Sequence, residues 1–460
     1  MINLFVTARS TAAMQAWRLP AIVTLAASLA LTAPTADAAP RKAQPAEATA
    51  PRDAGEPIMA IVSIKTQQVT FYDADGWIVR APVSTGVAGR ETPAGIFAVI
   101  EKDKDHHSTM YDDAWMPNMQ RITWNGVALH GGPLPGYAAS HGCVRMPYGF
   151  AEKLFHKTRI GMRVIIAPND PEPVEFSHPA LLVPKAEAVA TAPAHAETLV
   201  RDAADAARAA DTTKKAAATA ARETKSLASS LRKLELNKKR ADADLAAAGR
   251  AIDTAKNDEA KTRAEERKQK AADRATKATA QLDTAKSDAK SKLDAAAGAK
   301  DAAKLAETRK AATAKAATDA KLALEPVSIY ISRATQKLYV RRNTHKPAPD
   351  GGGEVFDATI EVPVQIRNPE KRIGTHVFTA MARSDAGLRW SAVTIDGDDA
   401  KDALDRITIP QDVLDRIAPT AVPRSSIVIS DEPLSKETNY RTEFVAVLSD
   451  QPQEIGRAHV

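Results

Sequence analysis

Cysteine is almost missing from this chain: Cys143 is the only one in 460 residues. No disulfide can form within it, so no part of the fold is stapled covalently. A single thiol is either packed away as a small hydrophobe or kept for its reactivity. Charge of one sign is missing too, since 63 Lys and Arg stand against 57 Asp and Glu, a net +6. That mixture argues against nucleic acid as a partner and supports at most a weak pull toward anionic cell-wall polymers or membrane. Beyond the N-terminus no apolar run approaches the roughly 20 residues a membrane helix needs. No glycine-rich phosphate loop and no Rossmann fingerprint occurs. Finally, the stretch 194–324 has no proline, and its only glycines are Gly249 and Gly298.

What is present divides the chain into segments. Arg9 and Arg18 flank the start of a short apolar run, "LPAIVTLAASLAL", and Ala36-Asp37-Ala38 offers an A-x-A cleavage site. Residues 1–38 therefore read as a secretory signal peptide, with an uncleaved N-terminal anchor as the alternative. Either way the remainder is expected outside the cytoplasm, in the periplasm or cell envelope. Residues 39–57 are rich in Pro and Ala and read as a linker. From Ile58 to Pro168, β-formers alternate with polar residues and Asp75-Gly76 marks a hairpin turn. This block predicts a β-rich domain of roughly 110 residues, large enough for its own core. Its one short helix is "GFAEKLFHKT", with Phe150, Leu154 and Phe155 on one face.

Residues 169–193 read as a second linker. Across 194–325 the composition turns to Ala, Lys, Arg, Asp and Glu, the strongest helix formers among them. A seam of Leu227, Leu231, Leu234, Lys238, Ala241, Leu245, Ala248 and Ile252 steps by four and three, and a second seam runs from Ala275 to Ala296 with one slip. One continuous helix would reach roughly 190 Å, and a chain folded back at "KNDEAKTRAEERKQK" about half that. The sequence leaves both arrangements open.

From Pro326 β character returns, and 326–453 echoes the first β block. "TQQVTFY" (66–72) matches "TQKLYVR" (335–341), and 81–100 matches 362–381 without a gap, placing Pro82 on Pro363 and Phe97 on Phe378. Pro147 falls on Pro410, Cys143 on Arg406 and His141 on Leu404. The expectation is a degenerate second copy that keeps the strands and loses the chemistry. The tail "EIGRAHV" (454–460) matches no structural pattern and reads as translated adaptor sequence.

The chemistry gathers around "SHGCVR", 140–145. A thiol attacks as thiolate, and a free cysteine has a pKa of about 8.5, so a neighbouring base or cation is needed. His130, His141 and Arg145 lie close in sequence. In an extended segment His141 and Cys143 share a face. Gly131, Gly132, Pro133, Pro135 and Gly136 can turn the chain so that His130 meets Cys143. Gly142 lets a substrate carbonyl approach the N–H groups of Gly142 and Cys143, a plausible oxyanion hole.

"HGG…SHGCVRMP", with "PVSTG" (82–86) and "TPAGIF" (92–97) upstream, resembles the signature of the L,D-transpeptidases, the YkuD-like cell-wall enzymes. The resemblance implies Cys143 as nucleophile and His130 as base, oriented by the Gly131 carbonyl. It implies His141 lining the site near the oxyanion region, and Arg145 and Ser140 binding substrate. It also implies a reaction. The bond between the diamino acid and D-alanine of a peptidoglycan tetrapeptide stem is cleaved through a thioester. The acyl group then passes to an amine of another stem, or to a lysine of an anchored lipoprotein or other cell-wall protein. Water as acceptor would make it an L,D-carboxypeptidase. His106, His107, Asp112 and Asp113 sit in what resembles the family's variable loop, where Tyr111, Trp115, Met116 and Met119 could line a groove. No metal and no cofactor is expected. The competing reading is a structural cell-wall tether with incidental catalysis. A papain-like hydrolase fails, because His130 precedes Cys143 and no helix carries the cysteine. The predicted architecture is thus multidomain: a mainly-β catalytic domain, a long coiled-coil-like helical segment and a second β-rich domain.

Overall fold

The computed structural model describes residues 46–109, 113–349, 353–385, 387–397 and 399–448. The expected signal peptide, Tyr111, Asp112 and the tail 454–460 lie outside them. The first β region holds β1 (Ala48–Thr49), β2 (Met59–Ser63), β3 (Gln68–Asp73), β4 (Gly76–Pro82) and β5 (Gly95–Ala98). It continues with β6 (Glu101–His107), β7 (Trp115–Arg121), β8 (Ala128–Gly131), β9 (Val144–Met146), α1 (Tyr148–Phe155) and β10 (Arg163–Ala167). After β11 (Val174–Phe176) come two long helices, α2 (Ala186–Asp253) and α3 (Asp258–Leu322). The second β region has β12 (Ser328–Ser332), β13 (Lys337–Pro347), β14 (Glu354–Pro363), β15 (Gln365–Ile366), β16 (Thr375–Ser384) and β17 (Gly387–Asp396). It ends with α4 (Ala400–Asp405), β18 (Ile407–Thr408), α5 (Gln411–Ile417), β19 (Ser426–Ser430) and β20 (Ala446–Val447).

Among the described residues two large sheets dominate. One runs β1-β4-β3-β2-β10-β5-β20, the other β11-β17-β16-β19-β12-β13-β14. Their central strands are apolar on both faces, and the alternation along each strand says why. In β2, Ala60 and Val62 enter a core with Phe71, Phe97 and Phe150, while Met59 and Ile61 enter a different one with Tyr330, Val377 and Val428. In β12, Tyr330 faces that shared core, while Ile329 and Ile331 face the second region's own. The first β region therefore does not close its core alone. Strands buried on both sides lose the hydrophobic-in, polar-out alternation, and each fully buried large side chain contributes about 1.5–3 kcal/mol of transfer free energy.

The two regions also exchange strands. β20, from the end of the chain, pairs with β5 of the first sheet, and β11, from 169–193, pairs with β17 of the second. Leu181 and Leu182 of the same stretch are buried in the second region's core. Gly95 makes the β20 contact possible, since a Cβ there would stand 2.1 Å from the Ala446 carbonyl oxygen. Between the sheets Arg163, 5% exposed, pairs with Glu443 at 3.0 Å and donates to the Ser426 hydroxyl at 2.9 Å.

The helices fold back on each other. α2 has 68 residues and α3 has 65, so each extends about 100 Å. The break is brief: Asn257 caps α3 by accepting from the Ala260 N–H at 2.9 Å, and Asp258 and Glu259 follow in the first turn. An Asn cap followed by acids is a recognisable helix start, a signal a search for Gly or Pro misses. The seam is mostly alanine, with Ala264, Ala271, Ala275, Leu282 and Ala289 buried and Leu293 left 53% exposed. Lys286 reaches across to Glu235 at 3.8 Å.

Candidate active site

A smaller sheet, β6-β7-β8-β9, carries the sequence-predicted site residues. β8 and β9 are parallel, with Leu129 opposite Val144, His130 opposite Arg145 and Gly131 opposite Met146. Parallel neighbours need a crossover of a dozen or so residues, which 132–143 supplies. Side chains alternate along both strands. Leu129, Val144 and Met146 enter the core with Phe71 and Phe150. Ala128, His130 and Arg145 take the other face, and Cys143, just ahead of β9, packs there against Met116, Met119 and Ala128. His130 and Cys143 thus sit one diagonal step apart on one face.

The crossover is held by the upstream motifs. Ser84 exchanges both backbone hydrogen bonds with Arg145 at 3.0 Å, and its hydroxyl donates to the Tyr137 carbonyl at 2.7 Å. The Thr85 carbonyl accepts from the N–H groups of Ala139 and Ser140, each at 2.9 Å. The Thr92 hydroxyl donates to the Gly142 carbonyl at 2.8 Å and accepts from the Gly86 N–H at 2.9 Å. Ser84, Thr85, Gly86 and Thr92 are positioning residues that the sequence reading quoted within motifs without giving them a role. Gly142 takes φ +114°, a conformation that a residue with a Cβ resists.

The Ser140 side chain, 1% exposed, is spent inside the turn. It donates to the Cys143 carbonyl and accepts from the Gly142 N–H at 3.1 Å. One of the two expected oxyanion donors is therefore engaged by the turn in this conformation. His130 is buried, and its Nδ1 lies 2.9 Å from the Gly131 carbonyl. That contact requires a proton on Nδ1 and leaves Nε2 with a free lone pair. Burial lowers the His130 pKa to about 4; the Gly131 carbonyl opposes this, and Arg145 and His106 add to it. The Cys143 thiol donates to the Gly126 carbonyl at 3.5 Å. Burial pushes its pKa up, against the Ala128 N–H and the positive charges of Arg145 and Arg121. At neutral pH the pair therefore rests as thiol and neutral imidazole, not as an ion pair.

His141 is exposed, and its pKa is lowered by desolvation and by Arg90 and Arg145. Arg145 is half-buried and lies over Gly132. At the rim Trp115, 53% exposed, stacks on Tyr148 with centroids 6.0 Å apart and is oriented by a 2.7 Å bond from its Nε1 to Asp105. Met116 and Met119 lie beneath, in the cluster around Cys143. His106 pairs with Asp103 at 3.1 Å and His107 with Asp113 at 3.4 Å. Among the described residues no three His, Cys, Asp or Glu side chains gather as metal ligands, and no helix is long and apolar enough to cross a membrane.

Comparison with known proteins falls on this region. Among solved structures, the chain is similar to an L,D-transpeptidase from Stackebrandtia nassauensis, with 26% identity over 26% of this chain and 60% of that one, TM-score 0.23. It is similar to one from Mycobacterium smegmatis, with 20% identity over 24% and 59%, TM-score 0.23. It is also similar to one from Xylanimonas cellulosilytica, with 24% identity over 26% and 63%, TM-score 0.23. The chain thus spans less than two thirds of each of these relatives. No curated protein matches it. Residues 57–166, the part that holds His130, Cys143 and Arg145, match the family model of the L,D-transpeptidase catalytic domain, YkuD.

Proposed function

We propose that this protein is an exported peptidoglycan L,D-transpeptidase working through Cys143. The observation that carries the reading is His130, fixed by the Gly131 carbonyl at 2.9 Å on the same sheet face as the sole thiol. Cys143 Sγ turns from the Gly126 carbonyl toward His130 and attacks the carbonyl between the diamino acid and D-alanine. His130 Nε2 takes the thiol proton and delivers it to the leaving nitrogen, so D-alanine departs and a thioester remains. An acceptor amine attacks the thioester, loses its proton to His130 and returns the thiol. The Cys143 N–H faces the developing oxyanion. Arg145 holds a substrate carboxylate with its forked donors, and His141 lines the entrance. A neutral imidazole suits this cycle, because it can accept the proton only while unprotonated.

The second β region, on this reading, is a degenerate copy without catalysis. Supporting it, the order β4-β3-β2-β10-β5 is repeated as β14-β13-β12-β19-β16. Pro82 opposes Gln68 as Pro363 opposes Lys337, and Phe97 opposes Val164 as Phe378 opposes Ile427. Gln67 and Gln336 share φ near +50°, and Pro147 and Pro410 precede α1 and α5 with matching angles. Arg163 and Ser426 are equivalent positions in touch across the interface, as two-fold packing requires.

The test is incubation of the protein with a tetrapeptide stem. Release of D-alanine, with a thioester or carbapenem adduct on Cys143 in intact-mass spectra, is the expected result. Neither release nor adduct would overturn the proposal in favour of a structural tether.

A further inference from the structure

The turn beside the nucleophile is held by chain 313 residues away. Residues 123–127 join β7 to β8 and close on themselves. Ile122 donates to the Val127 carbonyl at 2.9 Å, Gly126 to the Thr123 carbonyl at 3.2 Å, and Val127 to the Thr123 hydroxyl at 3.0 Å. Gly126 takes φ +103°, and its carbonyl is the acceptor of the Cys143 thiol. Two N–H groups of this turn end on a single atom: Trp124 and Asn125 both donate to Glu437 Oε2, at 2.8 and 3.2 Å. The Arg441 guanidinium lies 3.7 Å above the Trp124 ring. Glu437 and Arg441 belong to a segment that is itself anchored. Phe356 donates to the Tyr440 carbonyl at 2.8 Å, the Thr438 hydroxyl accepts from Val445 at 3.0 Å, and Phe444 and Val445 are buried just before β20.

We propose that Glu437, from the second β region, is a positioning residue for Cys143: it fixes the 123–127 turn, and the turn fixes where the thiol rests. This rests on the reading of Cys143 as the nucleophile. A carboxylate that accepts two turn N–H groups makes charge-assisted bonds, stronger than neutral ones. A carbonyl aimed at sulfur accepts S–H and opposes S⁻, so the turn favours the protonated, resting thiol. The charged and titratable groups on the thiol's side of the sheet are Arg121 on β7, His130 on β8 and Arg145 on β9. They are unchanged when Glu437 is replaced, so a shift in thiol titration reports the turn. The second β region thereby supplies a control on the nucleophile as well as a wall of the core.

The experiment uses the full chain and measures the rate of iodoacetamide labelling against pH, which reports one site because Cys143 is the sole thiol. In Glu437→Ala the midpoint is expected to fall by about half a pH unit, or about threefold faster labelling below it. Glu437→Gln keeps an oxygen that can accept both N–H groups and should retain the wild-type midpoint. Glu437→Asp falls short by one methylene and should shift the same way as alanine; it carries the test if the alanine variant does not fold. A wild-type midpoint in the alanine and aspartate variants, even with a lowered melting temperature, would reduce Glu437 to a structural role and overturn the proposal. A glutamine variant that shifts as far as alanine would overturn it too, since charge and not turn geometry would then be acting. Labelling needs no stem peptide. Missing D-alanine release in the wild type would sink the transpeptidase reading alone, and an unmoved midpoint beside intact release would sink this one alone.

Discussion

The two β regions share a strand order and differ at one turn. In the first, the turn into β9 presents Cys143, with Gly142 at φ +114° and Ser140 folded beneath it. In the second, the aligned position holds Arg406. Its guanidinium donates to the carbonyls of Arg367, Asn368, Lys371 and Arg372 at 2.6–3.0 Å. The loop that Gly86 and Thr92 tie to the Cys143 turn in one region is tied to a side-chain cation in the other. His141 is exposed, while Leu404 at its aligned position is 1% exposed. The lesson is that the turn is a separable part. The sheet beneath it is held by alternating apolar residues that do not depend on the site, so chemistry can be exchanged for a structural plug.

The sharpest way to break this comparison is to act on each region in turn. Cys143→Ala should remove D-alanine release entirely while circular dichroism stays unchanged, and Arg406→Ala should keep release within about twofold of wild type. Turnover surviving the first change, or lost with the second, would reverse the assignment of the regions. The next largest effect is at their interface. Arg163→Ala leaves Glu443 buried without its cation, a loss of about 3–5 kcal/mol. Because the regions share a core, urea unfolding followed by Trp fluorescence should show one transition shifted as a whole. Two separated transitions would mean that they fold apart.

A third test uses pH. His130 has a folded pKa of about 4 against an ordinary 6.5, so between these values the unfolded chain binds a proton that the folded chain refuses. Stability therefore falls as pH drops from 6.5 toward 4, by roughly 3 kcal/mol in full, and this cost is not felt above 6.5. His130→Gln should flatten that slope in denaturant melts, whereas an equal slope in both proteins would place a different group behind it. The smallest effect is expected from Arg406→Ala on stability. Four hydrogen bonds from a half-buried cation suggest about 1–3 kcal/mol, read from the denaturation midpoint. No change would mean that the loop 367–372 holds itself.

Much of this was legible beforehand for physical reasons. Strands show as alternation or apolar runs, and the long helices show as alanine with charged residues. Asn257 was legible as a cap but lies in a stretch without Gly or Pro, so the hairpin and the single long helix looked alike. The expectation of a self-sufficient first core was not met. An apolar run such as "MAIVS" says that both faces are covered but not by what, and the cover is the second β region, β20 included. At the site, the residue types in "HGG…SHGCVR" and their spacing placed His130, Arg145 and Cys143 in one neighbourhood. Sequence could not show that the Ser140 hydroxyl engages the Gly142 N–H, since a side-chain rotamer is chosen by its surroundings.

The sequence by itself determined the elements, the internal echo and the lone thiol beside histidines, because these follow from local propensity, periodicity and residue chemistry. Only the tertiary structure decided that the thiol rests on the Gly126 carbonyl, that Glu437 holds that turn, and that two sheets close one core. Those are contacts between residues tens to hundreds of positions apart, and their formation depends on how the whole chain packs.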